Sequence, residues 1–64
     1  MHDTSKAQPV LDDHGNIIGY VLEIAENQWL PLNLEGANYT GPSHHNDAID
    51  IVKLKHASGE SAVN

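Results

Sequence analysis

Eight consecutive residues, Ile17-Ile18-Gly19-Tyr20-Val21-Leu22-Glu23-Ile24, constrain the fold more than any other part of the chain. They are dominated by β-branched and aromatic side chains, which favour a pleated, half-buried strand. At period two, Ile18, Tyr20, Leu22 and Ile24 share one face, while Ile17, Gly19, Val21 and Glu23 share the other. Upstream, Pro9-Val10-Leu11 begins a shorter strand. Between the two lies Asp12-Asp13-His14-Gly15-Asn16, a cluster of turn formers in which Gly15 and Asn16 tolerate positive φ. Two strand-like runs around such a turn predict a β-hairpin.

A second turn at Ala25-Glu26-Asn27-Gln28 leads into Trp29-Leu30-Pro31-Leu32-Asn33-Leu34. Leu30, Leu32 and Leu34 alternate, so a third strand with one apolar face is expected here. Pro31 cannot donate to a ladder and belongs at an edge, or with its nitrogen turned to solvent. Three such strands make an antiparallel meander with one face that needs cover. The stretch 35–42 reads as a loop, with one short extended piece at residues 38–40.

Residues 44–57 admit two readings. As a helix, Ser43 would be the N-cap and Asp47 would sit near the positive end of the dipole. Ala48 and Val52 would then share a face with Ile49 or Ile51, Lys53, Lys55 and His56 would suit the C-terminus, and Ser58-Gly59 would end it. As a strand, residues 49–55 supply three β-branched side chains and partial alternation. The helix is the expectation, because a three-stranded sheet requires a cover. The fold class expected is therefore α+β, a meander covered by one C-terminal helix, with a small all-β fold as the alternative. Residues 1–8 are expected to be a disordered lead-in, residues 9–57 a single small domain, and residues 58–64 a flexible tail.

With 64 residues, the chain has room for one core and no more. A domain of this size buries only ~60% of the surface its unfolded chain exposes. Small folds often add disulfides or a metal, but cysteine is absent, which excludes disulfides and thiolate metal sites. The core must come from Val, Leu, Ile and the single Trp29, with self-association into a homodimer as a further source of burial if Ile17 and Val21 make the second sheet face apolar too.

Charge narrows the partners. Nine acidic residues face three lysines (Lys6, Lys53 and Lys55) and no arginine, for a formal net charge of −6. Nucleic-acid binding rests on Lys and Arg neutralising phosphates, and guanine readout favours the bidentate guanidinium. Direct nucleic-acid binding is therefore not expected, whereas a basic protein partner is compatible with the acidic surface, as is mere solubility. No apolar run approaches the ~20 residues that span a bilayer, so no membrane association is expected. The first residues lack the basic-then-apolar order of a secretory signal, and a cytoplasmic location is expected.

The order of glycine turn, Ile18-Gly19 pair, Trp29 opening a strand, glycine loop and Asp47-Ala48 pair in a helix resembles the very small β-β-β-α proteins of phages, prophages and other mobile elements. It is also similar in order to the HicB-type antitoxins. The resemblance covers about residues 10–57, on motifs of two residues or fewer. Two departures stand out: the strand after the third is represented only by Tyr39-Thr40-Gly41-Pro42-Ser43, and the separate DNA-binding segment of many HicB-type proteins has no counterpart. The resemblance implies a phage or mobile-element modulator of another protein, or an antitoxin-like dimer.

Five histidines, His2, His14, His44, His45 and His56, raise the question of a metal. Real sites want three or four ligands from fixed positions, and adjacent His44 and His45 diverge on either a helix or a strand. No metal and no other cofactor is expected. Catalysis is not expected either, since no nucleophile elbow or triad spacing is present. Asp12 and Asp13 are more naturally turn residues than an acid/base pair. The candidate protein-binding residues are Trp29, Tyr39, Asp12, Asp13, Glu26 and Glu35: the aromatics because Trp and Tyr anchor interfaces, the acids because they fall in turns. Acids aligned on one surface would imitate DNA phosphates, which makes a DNA-mimic inhibitor a third reading. Trp29 lies on the parity opposite the leucines, so packing under the helix is its alternative fate.

Overall fold

The computed structural model describes residues 3–59. Strands β1 (Gln8–Leu11), β2 (Ile17–Ala25) and β3 (Gln28–Leu32) form an antiparallel sheet in the order β1-β2-β3, and helix α1 (His45–Ser58) follows. This is the α+β meander with a C-terminal helix, and residues 49–55 are helical, not a fourth strand. Their β-branched side chains are accommodated because Ala48 and Val52, four residues apart, form the fully buried stripe, flanked by half-buried Ile49 and Ile51.

The ends of α1 differ in quality. Gly59 takes a left-handed φ of 72° and donates its N–H to His56 and Lys55 carbonyls, a C-cap that glycine supplies without strain. At the other end the N-cap is His44, whose side chain makes no capping bond, rather than the expected Ser43. Ser43 is engaged elsewhere: its N–H donates to Trp29 O at 2.9 Å, and its own carbonyl accepts from Trp29 N–H at 2.7 Å.

That pairing belongs to a returning segment along the outer edge of β3. Asn33 N–H donates to Ala37 O at 2.9 Å, and Tyr39 N–H donates to Pro31 O at 2.8 Å. Backbone groups alternate sides along a strand, so Pro31, midway between Trp29 and Asn33, turns its nitrogen to this irregular side and costs the sheet no bond. Leu30 and Leu32 then face β2, where they pair with Leu22 and Tyr20. Gly19 and Val21 in turn face β1, which leaves Pro9, opposite Tyr20, with its nitrogen on the free outer edge. Each edge strand thus carries a proline whose nitrogen points away from the sheet, a device against edge-to-edge pairing.

The helix covers the face carrying Val10, Gly19 and Val21, not the leucine face. Val21, expected to point outward, is fully buried with Val52, Ala48 and Tyr39. Gly19 explains the choice of face: a Cβ there would lie 2.6 Å from Val52 Cγ1, so the helix rests on bare backbone. Period two also breaks at Ile18. The β1–β2 register shifts between Val10 and Leu11, which inserts Ile18 as an extra residue and turns it into the same core as Val21. Leu30 and Leu32 are buried outside this cluster.

One other boundary differs from expectation. Leu34 is exposed, because Asn33 ends β3 by accepting the N–H groups of Glu35 and Ala37 on Oδ1, both at 2.9 Å. Ahead of β1, Thr4–Lys6 form a 3-10 turn, with Ser5 N–H donating to Asp3 Oδ1 at 2.9 Å. Met1, His2 and residues 60–64 of the expected lead-in and tail lie outside the described residues. No helix among the described residues is long and apolar enough to cross a membrane.

Candidate functional site

The β1–β2 turn and the last two turns of α1 face each other across an open cleft of about 240 Å³. Its floor is Leu11, Ile18 and Ala57, one lip is Asp12 and Asp13, and the other is Lys53 and His56. Three of the helical residues stand at i, i+3 and i+4, the spacing that places side chains on one helix face.

Local hydrogen bonds hold the acidic lip in place. Asp12 Oδ1 accepts the N–H groups of His14 at 2.8 Å and Asn16 at 2.9 Å. The backbone closes the same turn, with Asp12 N–H donating to Asn16 O at 2.9 Å and Gly15 N–H to Asp12 O at 3.1 Å. Gly15 takes φ 83°, which a side chain would resist. The N–H of Asn16 above all, then that of His14 and the charge of His56 across the cleft, hold the Asp12 carboxyl below its ordinary value. Asp12 is therefore an anion at neutral pH.

The six residues singled out from sequence do not converge. Asp12 and Asp13 line the cleft. Glu26 lies in the β2–β3 turn, at the opposite end of the sheet, and Glu35 in the turn after β3. Tyr39 is a core residue, 8% exposed, and burial raises its hydroxyl above the ordinary tyrosine value, so it leaves the surface set. Trp29 is half-buried under the start of α1, edge-on to the His45 ring at a centroid distance of 4.5 Å. His45 also bonds through Nε2 to Gln8 Oε1 at 2.7 Å, tying α1 to β1. Leu11, Ile18, Lys53, His56 and Ala57, which also line the cleft, were not among those six. The helical spacing of the last three was the one available signal, and it points nowhere until the hairpin turn is placed opposite.

Among the described residues, no three His, Asp or Glu side chains gather as metal ligands. Compared with known proteins, the chain matches no family model, no curated protein and no solved structure.

Proposed function

We propose that this chain is a non-enzymatic protein-binding module that seats a partner's apolar side chain in the cleft between the β1–β2 turn and α1. One observation carries the reading. Leu11 and Ile17, paired across β1 and β2, remain 47% and 45% exposed, and Leu11 continues onto the apolar floor of the cleft. Contiguous exposed apolar surface rimmed by charge is the usual mark of a docking site. The β-β-β-α order, through its resemblance to small mobile-element proteins, supports a setting in a phage or prophage, as a modulator of a host or phage protein in the cytoplasm.

The test is crosslinking capture from a host lysate with the full chain and with Leu11→Lys, whose site is exposed enough to spare the core. The reading expects one protein recovered near stoichiometry by the wild type and lost by a variant with an unchanged circular dichroism spectrum. Equal recovery by both forms, or recovery by neither, overturns it.

A further inference from the structure

The cleft's two lips carry opposite charge, and this sets the chemistry of what enters. The inference rests on the protein-binding reading and deepens it. On a chain of formal net charge −6, a basic lip is a local exception: two of the three lysines lie on α1, and Lys53 faces the cleft. Among the described residues no hydrogen bond or ion pair joins Asp13 to Lys53 or His56 across it. Asp13 and Lys53 therefore present charge to whatever lies between the lips, while His56 acts on Asp12 across the cleft through its charge. A volume of about 240 Å³ is below the ~300–1,000 Å³ of sites for drug-sized ligands and cofactors. It holds one or two side chains. Both edges of the sheet carry an outward-turned proline nitrogen, so a segment adding to the sheet as a further strand is disfavoured, and the cleft is left as the place for an extended chain to lie.

We propose that the cleft takes an extended peptide segment of a partner in which an apolar side chain is flanked by a basic residue on one side and an acidic residue on the other. The apolar side chain lies on Leu11, Ile18 and Ala57, the basic residue meets Asp12 and Asp13, and the acidic residue meets Lys53 and His56. An exposed ion pair is worth a factor of about two to five in affinity. Two pairs together discriminate about fivefold or more against a segment that repels one lip.

The experiment is a two-dimensional amide NMR titration of the full chain with three acetylated, amidated pentapeptides. The first is lysine-alanine-leucine-alanine-glutamate; the others carry lysine at both ends or glutamate at both ends. The mixed-charge peptide is expected to shift the amides of Asp13, Lys53 and Ala57 and to bind about fivefold or more tightly than either control, with the difference shrinking at high salt. In Lys53→Glu, a surface substitution, the preference is expected to pass to the lysine-ended peptide. Equal binding of all three overturns the charge pairing while the protein-binding reading stands. Free leucine shifting the same amides at the same concentration as the peptides replaces the partner segment by a small zwitterion and overturns the proposal. Absence of any shift at millimolar peptide also overturns it, and the Leu11→Lys capture then decides the protein-binding reading independently.

Discussion

Gly19→Ala is expected to destabilise this fold by forcing the helix off the sheet. An ideal Cβ at Gly19 would lie 2.5 Å from Leu32 O and 2.6 Å from Val52 Cγ1. Carbon contacts are comfortable at about 3.5–4.0 Å, so the methyl is roughly 1 Å too close on two sides at once. Neither neighbour yields easily: Leu32 O is backbone, and Val52 is fully buried on a helix, where a β-branched residue has one strongly preferred rotamer. Relief requires α1 to lift off the sheet, which loosens Ala48 and Val52 against Val21 together. Overpacking of this kind costs about 1–3 kcal/mol, sometimes more, against about 0.5–1 kcal/mol gained by replacing a strand glycine. A net loss of about 1–2 kcal/mol is a sizeable share of the roughly 3–10 kcal/mol expected for a chain of this length. At about 4–8 °C per kcal/mol for a small domain, Tm should fall by about 4–16 °C in a thermal melt followed by circular dichroism. Two controls separate sterics from backbone effects. Gly41→Ala meets nothing within 4 Å and should leave Tm level or slightly raised. Gly15→Ala also meets nothing within 4 Å but stands at φ 83°, and should cost about 1–2 kcal/mol through conformation alone. Val52→Ala should cost less in the Gly19→Ala background than in the wild type, because the two sites share one contact. A Gly19→Ala protein melting within 2 °C or so of the wild type refutes the close-approach account.

The weak end of α1 offers a gain. His44→Ser would place a hydroxyl where the helix has no side-chain cap, and urea unfolding should show about 0.5–2 kcal/mol of added stability; no change would mean that water already serves those N–H groups equally well. Tyr39 gives a pH dependence. Its hydroxyl titrates higher in the folded state than in the unfolded chain, so the unfolded state binds fewer protons above about pH 10, and stability falls as pH rises through that value. Denaturation curves between pH 9 and pH 11 should show the decline in the wild type and its loss in Tyr39→Phe, and an identical decline in both would assign it to other groups.

Much of the architecture follows from local chemistry that a sequence displays directly. Asp12 to Asn16 form a turn because an aspartate side chain can hold two downstream N–H groups and a glycine can take a left-handed φ, and both signals are legible without a structure. The same holds for the strand over residues 17–24 and for Gly59 as the stop of α1. The choice between helix and strand for residues 49–55 was legible only indirectly, through the need of a three-stranded sheet for a cover. Within the cleft, Asp12 and Asp13 could be picked from sequence as turn acids, whereas Lys53, His56 and Ala57 acquire meaning only once the helix end is laid beside that turn.

The sequence by itself determined three strands, two hairpin turns, a strongly acidic composition without arginine, and the edge position of Pro31. Tertiary structure alone decided which sheet face the helix would take, and it chose against the leucines. Alternation marks two apolar faces as equivalent, but close packing depends on depth: Gly19, beside Val10, Val21 and Pro31, lets α1 approach to backbone contact, and one inserted residue at Ile18 turns an outward side chain into that core. The same choice buried Tyr39 and drew the helix C-terminus over to Asp12. Residues 40 positions apart therefore meet at the cleft, a juxtaposition no local pattern encodes.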